Sequence, residues 1–486
     1  MALVTKEIFK LWLLVSIVNV SSQSCPEPCT RLFSKLVCDG SKVNLTTFPQ
    51  IENRPWIKSL LVVHTNLPSL QRGELVLPAV DNLRKVALFS NGIKTLGKSI
   101  FRNISNITSL ALSNNSLSAV PTIAIKPLKK LVFLTLTRNR IQTIESNAFL
   151  QNQNLEKLFL DDNRISDIRV GSFNGLDRLI YLHLSNNNIA RFPFEGSVQD
   201  FSVLEGLYVT GNLIEDIFTN NQNFSACVTL AMQSNSLSHL KNFSLNAFPQ
   251  ISTLSVLDNL IEKLDEFLFG SVYHPLENLI ISNNKLSELP IKLLKNLPKL
   301  RKLFLAQNKI TMIPGKAFLN NIYLQTLDLS FNLIQVSHPS ALDGLKSLKF
   351  FFVQHNNLST IPADYFSLSY DIHFRLDGNH WVCDCDLCAV QKWYNKTKYY
   401  FGNPVCSVPP RFRGTPIIEV PFKKLCKDTE VTISEHTGDF GFSTTDATST
   451  RKLLFYEDIA ILAMLLVFVT GGTLICLSCL CNIFGK

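Results

Sequence analysis

The sequence is poor in charge, in glycine and proline, and in clustered cations. Charged residues make up 17% of it, against about 25% in typical soluble domains, and glycine and proline are also scarce. This composition excludes a disordered or collagen-like chain. Lysine plus arginine (47) exceeds aspartate plus glutamate (38) by nine. These cations form no Lys/Arg-rich run of five to eight residues, which argues against a nucleic-acid-binding segment.

Motifs of known catalytic chemistry are also missing. The sequence has no G-x-S-x-G elbow, no P-loop and no G-x-G-x-x-G after a predicted strand. Its nine histidines stand at unrelated positions and form no H-E-x-x-H or similar ligand spacing. We therefore predict no enzyme activity, no cofactor and no metal site.

The two ends of the chain predict an extracellular protein held at the plasma membrane. Residues 1–24 combine two lysines, an apolar run and small residues, the pattern of a signal peptide. Residues 459–481 are almost wholly apolar and long enough to cross a bilayer as one helix. This order predicts a single-pass type I protein whose tail, 482–486, is too short to hold a signalling domain. Any signalling would then need a co-receptor.

A glycolipid anchor is the alternative to the membrane span. Small residues at 443–450, a polar spacer at 451–458 and the apolar tail also fit that processing signal. Before them, residues 427–458 lack any repeat, and ten of the 22 residues from 429 to 450 are Ser or Thr. We interpret 427–458 as a stalk next to the membrane.

Cysteine and asparagine patterns agree with an oxidising exterior. Nine of the twelve cysteines lie between the predicted signal peptide and span: Cys25, Cys29, Cys38, Cys227, Cys383, Cys385, Cys388, Cys406 and Cys426. Zinc is the competing interpretation of Cys385-x-x-Cys388, but the secretory context favours disulfides. Eight glycosylation sequons begin at Asn44, Asn103, Asn106, Asn114, Asn223, Asn242, Asn357 and Asn395.

An internal repeat of 23 to 25 residues decides the fold class. Its pattern is L-x-x-L-x-L-x-x-N-x-I/L-x-x-I/L, and Thr65 replaces the asparagine in a weaker first copy. The asparagine recurs at 91, 115, 139, 163, 187, 212, 235, 259, 284, 308, 332, 356 and 379. A second, aromatic ladder is expected from Phe101, Phe149, Phe173, Phe269, Phe318 and Phe366. Cys227 occupies a core leucine position, so we predict a buried thiol there.

The repeat predicts an α/β-type solenoid. In each copy the L-x-L segment is a short strand whose leucines enter the core, so stacked copies form a parallel sheet on one concave face. The asparagine turns the chain out of the strand, and its buried amide can pair with backbone groups of its own and the neighbouring coil. Because both terminal coils would expose core, caps are needed.

These residues resemble the extracellular leucine-rich repeat proteins of animals, over roughly residues 25–426. The resemblance implies a horseshoe of about 13 repeats (57–370) between cysteine-rich caps at 25–56 and 371–426. Cys25-Pro-Glu-Pro-Cys29 with Cys38 resembles the N-terminal cap, and the segment from Asn379 to Leu387 resembles the C-terminal cap. By similarity, Cys29 would pair with Cys38, Cys383 with Cys406, and Cys385 with Cys426. Cys25 and Cys388 are left over as candidates for a disulfide-linked dimer.

The candidate ligand-binding residues lie on the predicted concave face, at strand positions expected to point toward solvent. Exposed aromatic residues on such a face are typical of protein-binding surfaces. The first cluster comprises Lys302, Phe304, Phe350 and Phe352, and the second comprises Phe159, Tyr181, His183 and Tyr208.

The function predicted from these features is binding of an extracellular protein, in adhesion or as a co-receptor. The alternative is an innate immune receptor for microbial ligands, similar to Toll-like receptor ectodomains but without a signalling domain. A matrix structural protein or an enzyme subunit is a third hypothesis, which would not need the membrane span. The repeat frame itself does not identify the ligand.

Overall fold

The structure of the chain is a computed structural model. It describes residues 29–41, 56–70, 82–98, 100–101, 104–194, 201–217, 223–242, 244–270, 273–367, 372–396, 402–422 and 426.

Several predicted segments lie outside these residues. They are the signal peptide (1–24), the stalk (427–458) with the alternative anchor signal, the membrane span (459–481), the tail (482–486) and Cys25. Among the residues that are described, no helix combines the length and apolar character that crossing a membrane requires.

The repeats form a parallel β-solenoid of about 13 turns. Each turn, or coil, adds one short strand to a common sheet, which has sixteen strands in chain order over the described ranges. These strands are β1 (Cys29–Leu32), β2 (Lys35–Asp39), β3 (Ser59–Val63), β5 (Lys85–Phe89), β7 (Ser109–Ala111), β8 (Phe133–Thr135), β10 (Lys157–Phe159), β12 (Tyr181–His183), β13 (Gly206–Tyr208), β14 (Thr229–Ala231), β16 (Thr253–Ser255), β18 (Asn278–Ile280), β19 (Lys302–Phe304), β21 (Thr326–Asp328), β23 (Phe350–Phe352) and β24 (His373–Arg375). The hairpin of β1 and β2 is antiparallel, and β2 then pairs in parallel with β3.

Shorter elements complete the coils and the C-terminal cap. Two-residue strands pair between neighbouring coils: β4 (Ser69–Leu70) with β6 (Thr95–Leu96), β9 (Thr143–Ile144) with β11 (Asp167–Ile168), β15 (His239–Leu240) with β17 (Lys263–Leu264), and β20 (Met312–Ile313) with β22 (Val336–Ser337). In the cap, β25 (Trp381–Val382) pairs with β26 (Cys406–Val408). The helices are α1 (Thr122–Ile125), α2 (Ile291–Lys295) and α3 (Cys388–Lys396), with 3₁₀ turns at Pro339–Leu342, Ala363–Ser367, Cys385–Leu387, Pro410–Phe412 and Ile417–Glu419.

The core is filled by the leucines of the repeat and by a column of aromatic rings. All six phenylalanines predicted for the aromatic ladder are buried. Phe149 and Phe173 stack with ring centroids 6.4 Å apart. Between Phe173 and Phe269 the column continues through rings that the ten-residue spacing did not predict: Phe194, Phe201, Phe224 and Phe248.

The asparagine ladder is confirmed by its hydrogen bonds. Asn187 Nδ2 donates to the carbonyls of Leu184 (2.9 Å) and Ser185 (3.2 Å) in its own coil. It also donates to Leu160 O of the preceding coil at 3.1 Å, and its Oδ1 accepts from Ile165 N at 2.9 Å. One buried amide therefore pairs with four backbone groups of two coils.

The weaker first copy joins the same ladder. Thr65 donates its hydroxyl proton to Asn91 Oδ1 at 2.7 Å, and Thr65 N donates to the same oxygen. A hydroxyl thus replaces the carboxamide at the N-terminal end of the ladder.

Disulfides hold both ends of the solenoid. They join Cys29 to Cys38, Cys383 to Cys406, and Cys385 to Cys426, the pairs that the resemblance to the caps implies. In the described part of the chain, Cys227 and Cys388 remain as free thiols. Cys227 is fully buried, and burial raises its pKa to about 12. Such a thiol stays protonated and unreactive at neutral pH.

Candidate ligand-binding face

Strand geometry separates core residues from face residues. In β10, Leu158 is completely buried in the core, while Lys157 and Phe159 on either side of it point to the opposite face of the sheet. Parallel pairing keeps this register, so Lys157 aligns with Tyr181 and Phe159 with His183. We call this surface the concave face, and it carries both predicted clusters.

The C-terminal patch of the concave face consists of Lys302, Phe304, Phe350 and Phe352. Lys302, Phe304 and Phe350 are half-buried. The rings of Phe350 and Phe352 lie 6.1 Å apart. Phe350 also contacts the His373 ring of the next strand at 4.7 Å. The structure therefore brings these predicted residues onto one surface.

Phe352 departs from the prediction because it is only 9% exposed. Asp328 and Arg375 lie beside it in the adjacent strands, and the Phe350 ring covers another side. Burial by these neighbours makes Phe352 a support for the patch rather than a contact residue. Burial likewise raises the pKa of Asp328, although Ser330 donates two hydrogen bonds to its carboxylate.

The second predicted cluster is a stack of rings across the middle coils. Phe159 contacts His183 with ring centroids 4.4 Å apart, and His183 contacts Tyr208 at 4.2 Å. Phe133 extends the stack on the N-terminal side, 5.2 Å from Phe159. Phe159 is 3% exposed and His183 is 1% exposed, so the prediction that these two point into solvent was wrong. Each ring is covered by the ring of the neighbouring coil.

Tyrosines 181 and 208 keep the exposure that the prediction requires. Both are half-buried. Tyr181 donates its hydroxyl proton to Glu205 Oε2 at 2.8 Å. The ammonium group of Lys157 lies 5.4 Å from the Tyr181 ring. Of the four residues in this cluster, these tyrosines are the ones that a ligand can reach.

A buried titratable pair lies under the middle coils. Asp161 Oδ1 accepts a hydrogen bond from Ser185 N, and Asp161 Oδ2 lies 4.0 Å from His183 Nδ1. Burial raises the pKa of Asp161 to about 7 and lowers the pKa of His183 to about 3. His183 Nδ1 has no hydrogen-bond partner in the described structure. The sequence did not predict this pair, because both residues occupy positions beside the core leucines of the strand that were expected to face solvent.

The concave face of the N-terminal coils is an apolar layer of its own, separate from the main core. Its buried members are Val37, Leu61, Ala87, Ala111, Phe133 and Phe159. Leu61, Ala87 and Ala111 stand at the same strand position as the predicted contact residue Phe159, and each is at most 5% exposed. Small side chains let neighbouring strands cover one another, so this part of the face offers little apolar surface to a ligand.

The described glycosylation sequons lie outside the strands. Asn114, Asn223, Asn242 and Asn357 are exposed, and Asn106 is half-buried. Asn395 lies in α3, and Asn44 and Asn103 lie outside the described residues. The strand residues of the concave face therefore contain none of the exposed sequon asparagines.

Comparison with known proteins supports the same architecture. The leucine-rich repeat family profile matches residues 81–141, 153–214, 274–320 and 298–358. The chain is 26% identical over 153 residues to trophoblast glycoprotein of Macaca fascicularis, covering 31% of each protein. It is 31% identical over 142 residues to leucine-rich repeat-containing protein 3 of Danio rerio, covering 29% of this chain and 52% of the relative. The chain thus spans between about a third and a half of these relatives.

Among solved structures, the Toll–Spatzle complex of Drosophila matches with a TM-score of 0.60 at 17% identity, covering 81% of this chain and 64% of the other. At that identity the match shows the fold alone. The profile matches and the asparagine ladder show that the chain carries leucine-rich repeats, and the sequence relatives to which it is similar are extracellular leucine-rich repeat proteins of animals.

Proposed function

We propose that this is a cell-surface glycoprotein that binds an extracellular protein through the C-terminal patch, in adhesion or as a co-receptor. The observation that carries the proposal is the pair of half-buried phenylalanines, Phe304 and Phe350, on an open sheet face beside Lys302. Large rigid rings supply contact area at a low cost in side-chain entropy.

The patch has the anatomy of a protein-binding site. Phe352 and His373 are buried under its edge and hold Phe350 in place through ring contacts. Lys302 adds a charge at the rim, where charged groups guide encounter and orientation. The middle coils offer a ligand less exposed aromatic surface, because neighbouring rings already cover Phe159 and His183.

The proposed topology follows the sequence. A signal peptide would direct residues 25–426 outside the cell, and the segment 459–481 would anchor them as a type I span, with a glycolipid anchor as the alternative. A signalling co-receptor is the partner we propose for any signal that passes into the cell. Cys388, half-buried and unpaired within the described residues, and Cys25 remain candidates for a disulfide-linked dimer.

The test is capture of the ligand by the full-length chain displayed on cultured cells. The parent and an F304S/F350S variant are presented to other cell surfaces and to microbial products, and bound material is cross-linked and identified. The variant should be displayed and folded, with a loss of stability of only about 1 kcal/mol for each half-buried ring, but bind the captured protein more weakly by more than about 2 kcal/mol, roughly 30-fold.

A matched control removes apolar surface from another side. Phe331 and Leu333 are 49% and 47% exposed at the turn after the strand, so an F331S/L333S variant should keep ligand binding. Equal binding by F304S/F350S and the parent would disprove the proposed site. Capture of a microbial product in place of an animal protein would favour the immune-receptor alternative.

A further inference from the structure

The solenoid gathers cations that the sequence keeps far apart. Arg301 N donates to Glu277 O at 2.8 Å, Gln325 N to Arg301 O at 2.7 Å, and Lys349 N to Gln325 O at 2.9 Å. These residues are therefore successive rungs along one edge, just before the strands begin. With neighbouring strands about 4.8 Å apart, Arg301 and Lys349 are roughly 10 Å apart in space.

Three more cations join them within four residues of the strand starts. We call Lys299, Arg301, Lys302, Lys346 and Lys349 the basic edge. Lys302 is half-buried at the start of β19, and the other four are exposed.

Few acidic groups oppose this charge. Glu277 contacts Arg301, with Oε2 3.4 Å from Nε, and both side chains are nearly half-exposed. Asp343 is exposed three residues before Lys346. An exposed ion pair contributes little, so the basic edge keeps a net positive potential that attracts anions.

The coil between the two cation-bearing coils carries an aromatic ring. Tyr323 is 51% exposed and Ile322 is 41% exposed. The segment from Asn320 to Thr326 contains no charged residue. Positive groups on both sides of an exposed ring suit a ligand that has both anionic groups and apolar faces.

The same rung positions have the opposite charge in the middle coils. Ile180 N donates to Glu156 O, and Glu205 N donates to Ile180 O, so Glu156 and Glu205 occupy the row that Arg301 and Lys349 occupy later. Arg84 N donates to Lys58 O in the same row, so cations stand at its N-terminal and C-terminal coils and acidic residues stand in the middle coils. The C-terminal group is the one that also has an exposed aromatic ring, Tyr323, between its two cation-bearing coils.

We propose that the basic edge binds a sulfated polysaccharide. Sulfate groups would pair with the lysines and Arg301, and sugar rings would lie on Tyr323. The surface is an open edge across three coils, which fits a linear polymer lying over it better than a compact small molecule. The basic edge shares Lys302 with the C-terminal patch but none of its phenylalanines. The variants that test the two proposals both leave Lys302 unchanged, so the two proposals can fail independently.

The test measures binding of a heparin octasaccharide to the full-length chain by calorimetry at low and at physiological salt. The test variant is K299Q/R301Q/K346Q/K349Q. The control variant, K94Q/K126Q/K129Q/K130Q, removes the same number of charges from exposed lysines on other coils. We expect the test variant to bind at least about 10-fold more weakly and the control to stay within about twofold of the parent, with binding weakened by salt in every case.

Binding of other polyanions tests whether the basic edge recognises a sulfated polysaccharide in particular. Desulfated heparin of the same length should bind at least about 10-fold more weakly than heparin, and a DNA duplex and poly-glutamate should also bind more weakly than heparin. Equal loss in the test and control variants, or equal affinity for heparin and any of these competitors, would overturn the proposal. If the quadruple variant melts below the parent, K346Q/K349Q replaces it, with an expected loss of at least about threefold. The variant Y323S should lose about threefold while keeping the parent's salt dependence.

Discussion

The middle and the C-terminal coils share the same backbone arrangement but differ in how far the aromatic rings of their concave face are exposed. In the middle coils, Phe159, His183 and Tyr208 stack ring on ring, so the face closes on itself. In the C-terminal coils, Asp328 separates Phe304 from Phe352 along the same row, and the rings of Phe304 and Phe350 stay partly open. The difference shows that exposure on a repeat face depends on the side chain one coil away rather than on the position within the repeat.

The largest expected effect is the loss of stability when the asparagine ladder is broken. This loss should be the same in the middle and the C-terminal coils. Replacing Asn187 with Leu leaves backbone groups of two coils unpaired, at about 1–3 kcal/mol for each buried group. Asn332 makes the same set of bonds in the C-terminal coils, so N332L should cost a similar amount. Denaturant unfolding of both variants measures this. Parent-like stability in either variant would contradict the structural role of the ladder.

The next prediction separates the two regions directly. Phe159→Ala removes a fully covered ring and should lower the free energy of unfolding by about 3–5 kcal/mol. Phe350→Ala removes a half-buried ring and should cost only about 1 kcal/mol. Thermal unfolding of the two variants under one set of conditions gives the comparison. Equal losses would mean that the C-terminal patch is as closed as the middle stack.

The third prediction concerns the pH dependence that Asp161 and His183 add in the middle coils, apart from the contribution of Asp328, whose pKa burial also raises. Since burial raises the pKa of Asp161 from 3.8 to about 7, its contribution to stability is present at low pH and is lost as the pH rises toward 7. His183 has the opposite sign. Its pKa falls from 6.5 to about 3, so its contribution is present above pH 6.5 and is lost as the pH falls. Between about pH 4 and 6.5 the two slopes oppose each other in the parent.

Single substitutions should show separately how Asp161 and His183 each change the stability with pH. D161N leaves His183 alone, so acidification from pH 6.5 to 4.5 should destabilise that variant, by up to about 1.4 kcal/mol per pH unit. H183F leaves Asp161 alone, so the same acidification should stabilise that variant. Melting temperatures measured against pH, with D328N as a C-terminal comparison, test the assignment. Parallel pH profiles for D161N and H183F would refute it.

The sequence predicted the frame of this molecule because the frame is periodic. Leucines and asparagines that recur every 23 to 25 residues leave one way to stack, and the asparagine hydrogen bonds follow from that stacking. Burial of Phe159 and His183 was not predictable in this way, since it depends on ring contacts between residues 24 or 25 positions apart. The basic edge was hidden for the same reason, because Arg301 and Lys349 come together only when three coils stack.

The smallest expected effect on stability comes from the two free thiols of the described residues, which should differ in reactivity. Cys227 lies in the core of a middle coil, and burial raises its pKa to about 12, so it should resist alkylation in the native protein. Cys388 begins α3 in the C-terminal cap and is only partly buried, so it should react with a maleimide or carry a partner chain. C388S should leave the free energy of unfolding within about 0.5 kcal/mol of the parent's. Mass spectrometry of the labelled chain measures the reactivity of both thiols, and non-reducing gels of C388S and C25S/C388S test the disulfide-linked dimer.

A disulfide-linked oligomer that persists in the double variant would exclude both cysteines as the link. Labelling of native Cys227 would show that the middle coils open more readily than their packing indicates.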